Sequence, residues 1–245
     1  MEQIAKWLSS HELILFAILV FLAITFWLLR FEKKLKIQWP EATLVALVHV
    51  VVGWSCMRLL ALVEVGFDVE KAANMRLFGA IFVLPFLYYA WAKKTKRNVS
   101  LVMDICTICV ILGAISGRLN CLTQGCCQGV PVAPEWAFRW PIRQIELAYY
   151  AAFILFYFGK IGTKKTYGQV YPIYMISYGI IRFVSEFARK EFTTQVGVLH
   201  LAHIWSLLCI VAGAIMLYYV ERNRNNGVKH LKTPERSGNK KEETL

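Results

Sequence analysis

The sequence predicts an all-α integral membrane protein with about seven transmembrane helices, its N-terminus outside and its C-terminus cytoplasmic. Three observations carry that expectation. Of 245 residues, 57% are hydrophobic, and the mean hydropathy is +0.47, more than a soluble domain of this size needs for its core. Seven apolar stretches follow one another along the chain. Lysines and arginines gather in alternate connections between them.

The stretches lie near residues 11–29, 43–63, 76–92, 99–117, 144–160, 167–187 and 201–220. Each approaches the roughly 20 apolar residues needed to cross a hydrocarbon layer about 30 Å thick. The first, third and last are the clearest runs, and polar groups interrupt the other four. The first runs directly into Arg30-Phe31-Glu32-Lys33-Lys34-Leu35-Lys36 with no small-residue cleavage site, so it reads as a retained span rather than a signal peptide.

Basic residues cluster at Arg30, Lys33, Lys34 and Lys36, at Lys93, Lys94, Lys96 and Arg97, at Lys160, Lys164 and Lys165, and from Arg222 to Lys241. Short cytoplasmic loops are enriched in Lys and Arg, which sets the orientation and an odd number of spans. Most of the net charge of +12 lies in these segments, so topology accounts for it and no nucleic-acid partner is expected. Residues 1–221 read as one polytopic transmembrane domain. Residues 222–245, polar and without apolar periodicity, read as a disordered cytoplasmic tail.

Ionisable residues inside the stretches carry the functional information. Arg58, Asp104, Glu146, Arg182 and Glu186 stand within otherwise apolar segments, where a charge costs about 2.5 kcal/mol or more at the bilayer centre. Such groups face one another or a wet cavity. Tyr178, Arg182, Glu186 and Arg189 recur every three or four residues, which draws a polar stripe along one helix face. One reading is an internal ion pair that fixes helix register. The other is a functional site, favoured by a glycine-rich, arginine-bearing loop at the same depth, from Gly113 through Gly117, Arg118, Gln124 and Gly125 to Gly129. Glycine admits close approach of a ligand and a guanidinium suits a phosphate, so a lipid phosphate is the natural candidate.

These residues resemble a family. Gly117-Arg118-Leu119 followed by Gln124-Gly125 and Gly129 is similar to the signature loop of the prolipoprotein diacylglyceryl transferases. Pro141 with Glu146 resembles their next motif. Tyr178-Gly179, Arg182-Phe183, Glu186-Phe187 and Arg189 resemble their most specific helix. Arg58 and Asp104 fall where the family has an arginine and an acid. The resemblance implies transfer of a diacylglyceryl group from phosphatidylglycerol to the cysteine thiol of a prolipoprotein signal peptide, in the bacterial cytoplasmic membrane, with no metal or organic cofactor. It implies Arg118, Arg182, Glu146 and His203 as catalytic candidates. Arg58, Gly117, Cys121, Gln124, Gly125, Tyr178, Glu186 and Arg189 are the corresponding substrate-binding candidates.

The sequence departs from the family in places. Phe78-Gly79-Ala80 replaces a His-Gly-Gly, so a histidine proposed as base is missing. Cys121 and Cys126 replace an asparagine and an acid, and His203 replaces a glutamine. His203 or His200, near the outer surface, is a candidate substitute base, beside the alternative that each is structural. Seven cysteines divide by position. Cys56, Cys106, Cys109 and Cys209 read as core packing. Cys121, Cys126 and Cys127 admit either a disulfide or a free thiol. Two further readings stay open: a phosphatidylglycerol-dependent transferase with a different acceptor, and a non-enzymatic lipid-binding membrane protein.

Overall fold

The computed structural model describes residues 2–68, 75–125, 127–133, 135, 138–160, 168–189, 195–196 and 199–232. Seven long helices and one short one dominate these residues: α1 (Glu2–Arg30), α2 (Glu32–Leu35), α3 (Trp39–Glu64), α4 (Leu77–Lys94), α5 (Val99–Thr123), α6 (Ile142–Lys160), α7 (Val170–Phe187) and α8 (Leu201–Lys232). Between α7 and α8 a two-residue hairpin pairs β1 (Gln195–Val196) with β2 (Leu199–His200).

Every expected apolar stretch coincides with a long helix. Among the described residues, α3, α5 and α8 are the helices long and apolar enough to cross a membrane. Helix α1 carries an apolar run over Ile14–Arg30 among the residues whose side chains are described, and α4 is 18 residues ending in Lys93 and Lys94. Helix α8 continues past Arg222 to Lys232, and residues 233–245 lie outside the described residues.

The exterior is oily. Phe26, Phe86 and Leu155 are more than seven-tenths exposed, as expected of side chains that face lipid tails rather than water. Helix α5 is the central element, with every residue from Val102 to Ile111 buried. Trp27 of α1 donates its indole N–H to the Ile105 carbonyl of α5 at 3.0 Å.

Two close helix crossings rest on glycine. A Cβ on Gly79 of α4 would collide with the Cys56 carbonyl of α3, and one on Gly179 of α7 would meet the Ser206 carbonyl of α8 at 2.8 Å. Small residues let backbones approach this closely where no hydrophobic force separates helix from lipid.

At the basic end, Arg97 clasps Glu41 with both guanidinium nitrogens, one at 2.6 Å, and donates to the Lys36 carbonyl at 2.9 Å. Trp91 adds a hydrogen bond to Glu41 at 2.9 Å. Nearby, Asp104 accepts from the backbone N–H groups of Gly168 at 2.7 Å and Val170 at 3.1 Å. It thereby satisfies orphan donors at the start of α7 from a different helix. With its beginning pinned to α5 and its length held along α8, α7 delivers its last turn to the opposite end.

Candidate functional site

Helix α7 is built inside out. Its buried residues include Tyr171, Tyr174, Tyr178, Arg182, Ser185 and Glu186, one face at helical spacing. Ile180, Val184 and Phe187 are exposed. Polar groups therefore turn toward the bundle and aliphatic groups toward lipid, as the stripe in the sequence predicts.

Near the last turns of this face, four helical residues and Arg189, just beyond α7, meet. Glu146, in the second turn of α6, pairs with Arg118 of α5, with Arg182 Nη1 at 3.4 Å and with Arg189 Nη2 at 2.9 Å. Glu186 receives Arg182 Nη2 at 2.8 Å and lies 3.7 Å from Arg189 Nε. Glu146, Glu186, Arg182 and Arg189 are 1%, 2%, 5% and 8% exposed, so the charges are withdrawn from water. Each guanidinium shares a carboxylate with another, which offsets a desolvation penalty of several kcal/mol per ion. Among the described residues, three guanidinium groups stand against two carboxylates, one positive charge in excess.

The segment after α5 closes over this arrangement. Gly129 bridges to Arg189 in antiparallel fashion, and Val130 N donates to the Ala188 carbonyl at 2.9 Å. A Cβ at Gly129 would collide with the Trp140 carbonyl and lie 2.9 Å from the Ala188 carbonyl, so only glycine fits where the segment lies on the end of α7. Arg143 Nη1 donates to the Cys121 carbonyl at 2.9 Å, which fixes the start of α6 against the end of α5.

Some sequence expectations need correction. The glycine-arginine segment is not a loop from Gly113: α5 runs to Thr123, so Gly117, Arg118 and Cys121 ride on its last two turns. Arg118 and Glu146 come together in an ion pair. Gly117 is exposed, with nothing within 4 Å of where a Cβ would lie. Gln124 and Gly125 are exposed as well and end the helix, with Gly125 at φ +68°, the left-handed stop that glycine makes without strain.

Tyr178 is buried one turn below Arg182, its ring 5.4 Å from Phe78, the residue at the family's histidine position. Arg58 lies half-buried on α3. Cys126, and with it the disulfides it was considered for, lies outside the described residues. Asp104, singled out beside Arg58, sits at the far end of α5 as the α7 cap.

The histidines exchange places. His203 is not at a surface: it is 2% exposed, its ring packs on Phe183 and Phe187, and its Nδ1 accepts the His200 backbone N–H at 3.2 Å. His200 is the histidine that reaches the charges, with Nδ1 3.8 Å from Glu186 Oε1. Sequence reasoning also underweighted Arg189, which meets both carboxylates, and Gly129. Their signal was present in the motif spacing but not their geometry.

Comparison with known proteins gives the same answer as the motifs. The family model described as prolipoprotein diacylglyceryl transferase matches residues 7–219. The phosphatidylglycerol--prolipoprotein diacylglyceryl transferase of Clostridium tetani is 28% identical over 163 residues, 60% of this chain and 64% of that protein. Proteins of the same name from Finegoldia magna and Campylobacter curvus are 26% and 28% identical, with 61% and 59% of their lengths covered. The matches thus span about three fifths of these relatives' length. With a family match running from α1 into α8 and the motif residues gathered into one buried charge cluster, this chain belongs to the prolipoprotein diacylglyceryl transferase family.

Proposed function

We propose that this chain transfers a diacylglyceryl group from phosphatidylglycerol to the thiol of a prolipoprotein's lipobox cysteine, within the bacterial cytoplasmic membrane. The observation that carries the reading is the buried cluster, which among the described residues has one positive charge in excess. A phosphodiester carries one negative charge, and its binding would neutralise a site that is costly to bury unbalanced. Family membership supports the same chemistry.

The sulfur attacks the terminal carbon of the diacylglyceryl group, the carbon–oxygen bond to phosphate breaks, and glycerol phosphate leaves with added negative charge. Arg118 and Arg182 stabilise that growing charge, worth about 3 kcal/mol or more per group in a dry site. Glu146 and Glu186 hold the arginines in place, and Arg189 completes the frame. Tyr178, Gly117, Cys121, Gln124, Gly125 and Arg58 are assigned to substrate binding. No metal or organic cofactor is needed.

The same reading includes seven membrane-crossing helices, an outer N-terminus and a cytoplasmic C-terminus. It also divides the chain into a transmembrane domain (1–221) and a tail (222–245). The alternating basic clusters support this orientation.

The test is mass spectrometry of a synthetic lipobox peptide incubated with purified protein and phosphatidylglycerol in mixed micelles, with Arg182→Ala as control. A diacylglyceryl adduct on the peptide cysteine, absent in the control, is expected. Consumption of phosphatidylglycerol without the adduct would move the acceptor elsewhere, and an untouched lipid would leave a binding protein.

A further inference from the structure

Transfer to a thiol requires a proton acceptor, because the thiolate is the nucleophile. Both buried carboxylates are committed to guanidinium groups: Glu146 meets three arginines, and Glu186 meets Arg182 and Arg189 through Oε2. Among the described residues two further carboxylates are withdrawn from water and also committed: Asp104 caps the start of α7, and Glu64 pairs with Arg76 at 2.5 Å. Phe78, on the face of α4 toward Tyr178, has no proton to exchange.

Among the described residues, Tyr150, Tyr178 and His203 also lie within electrostatic reach of the cluster, but a phenol is a poor acceptor for a thiol proton and His203 is 2% exposed, which leaves His200 as the imidazole beside the cluster with an accessible side. His200 closes the two-residue hairpin opposite Gln195, immediately before α8. Its Nδ1 is buried without a hydrogen-bond partner among the described residues and sits 3.8 Å from Glu186 Oε1, while the side chain as a whole keeps 15% exposure. The imidazole thus spans from a buried carboxylate to an accessible edge. Its backbone is held on both sides, by the hairpin and by its N–H donated to His203 Nδ1.

We infer that His200 is the general base of the reaction proposed above, oriented by Glu186 on its Nδ1 side, and that His203 is a positioning residue acting through the His200 backbone. The inference rests on that reading of the reaction. The arrangement has the logic of a carboxylate–histidine pair: the carboxylate fixes ring orientation and tautomer, and the second nitrogen works. His200 Nε2 takes the proton from the acceptor S–H, and the sulfur pair forms the bond to the diacylglyceryl carbon. The pair of the breaking carbon–oxygen bond departs on the phosphate, and the imidazolium returns its proton to the released glycerol phosphate. Among the described residues, the charged and titratable groups that face His200 are Glu186 of α7, Arg182 and Arg189 through that carboxylate, and His203 of α8, with ring centroids 5.7 Å apart.

The experiment measures kcat and KM against pH for the full-length protein with phosphatidylglycerol and a lipobox peptide, in wild type, His200→Ala and His200→Asn. General-base loss predicts a fall in kcat of about a hundredfold or more with KM little changed. The acidic limb of the wild-type kcat profile should flatten in both variants, and free imidazole should restore part of the His200→Ala rate. His200→Asn, which keeps a polar side chain beside Glu186, should unfold at the wild-type temperature and still lose the rate. Wild-type kcat and pH profile in His200→Asn would overturn the inference while leaving the transferase reading intact. Absence of any adduct with the wild-type protein would instead overturn the transferase reading, and this assignment with it.

Discussion

Arg189 donates through Nη2 to Glu146 Oε1 at 2.9 Å, across 43 positions of sequence, from just beyond the end of α7 to helix α6. That single contact turns the α7 ion pair into a shared network. Glu146 is the common partner of arginines from α5, from the middle of the α7 stripe and from just beyond its end. The three guanidinium groups are therefore fixed relative to one another by a residue on α6, and disturbing that residue disturbs all three.

Glu146→Gln removes the charge that all three arginines share. Breaking a buried pair from one side leaves uncompensated charge and costs about 3–5 kcal/mol. A fall in the thermal midpoint of the purified protein is expected, together with loss of transfer. An unchanged midpoint would mean that the arginines find other partners.

Arg182 spans both carboxylates, with Nη1 toward Glu146 and Nη2 toward Glu186. Lysine keeps the charge but not the planar fork. Arg182→Lys should therefore lose nearly as much kcat/KM as Arg182→Ala, about a hundredfold or more if the guanidinium stabilises the leaving phosphate. Full activity in the lysine variant would leave charge alone as the requirement.

Asp104 caps α7 at the far end of the bundle from the charge cluster. Asp104→Ala should cost about 1–2 kcal/mol, the scale of a lost helix cap, seen as a lower thermal midpoint. Because the residue lies away from the cluster, kcat of the folded fraction should stay near wild type. A variant of normal stability and no activity would give Asp104 a chemical role instead.

Gly129→Ala forces a methyl group against the Trp140 and Ala188 carbonyls. Overpacking of this kind costs about 1–3 kcal/mol. Since the segment rests on Arg189, transfer activity should fall as well. Gly117→Ala, with nothing within 4 Å, should leave stability unchanged, which makes the pair a control for position against residue type.

Orientation is tested separately. A reporter that works only in the cytoplasm, fused after Leu245, should be active, and a periplasm-dependent reporter at the same place should be silent. The reverse pattern would invert the topology drawn from the basic clusters.

Much of the architecture is legible in the chain because its causes are local. Apolar length sets helices wherever backbone must satisfy itself away from water, and all seven stretches became helices. The α7 stripe is equally local, since Tyr178, Arg182 and Glu186 share a face by spacing alone. The misread glycine segment has a physical reason. Gly113 and Gly117 lower helix propensity, yet α5 continues through them to Thr123, where packing outweighs propensity. The polar composition from Arg222 onward does not end the helix, and α8 runs on to Lys232 because helical hydrogen bonding does not stop at a change in polarity.

By itself, then, the sequence determined that this protein is helical and apolar, which face of α7 carries charge, and which family its motifs resemble. Only the tertiary structure decided who pairs with whom. Nothing in the spacing says that Glu146 serves three arginines, that Arg143 reaches the Cys121 carbonyl, or that His200 rather than His203 approaches Glu186. Those choices depend on how helices distant in sequence cross and at what depth. That geometry is fixed by close packing at Gly79, Gly179 and Gly129 and by the need to match every buried charge with a partner.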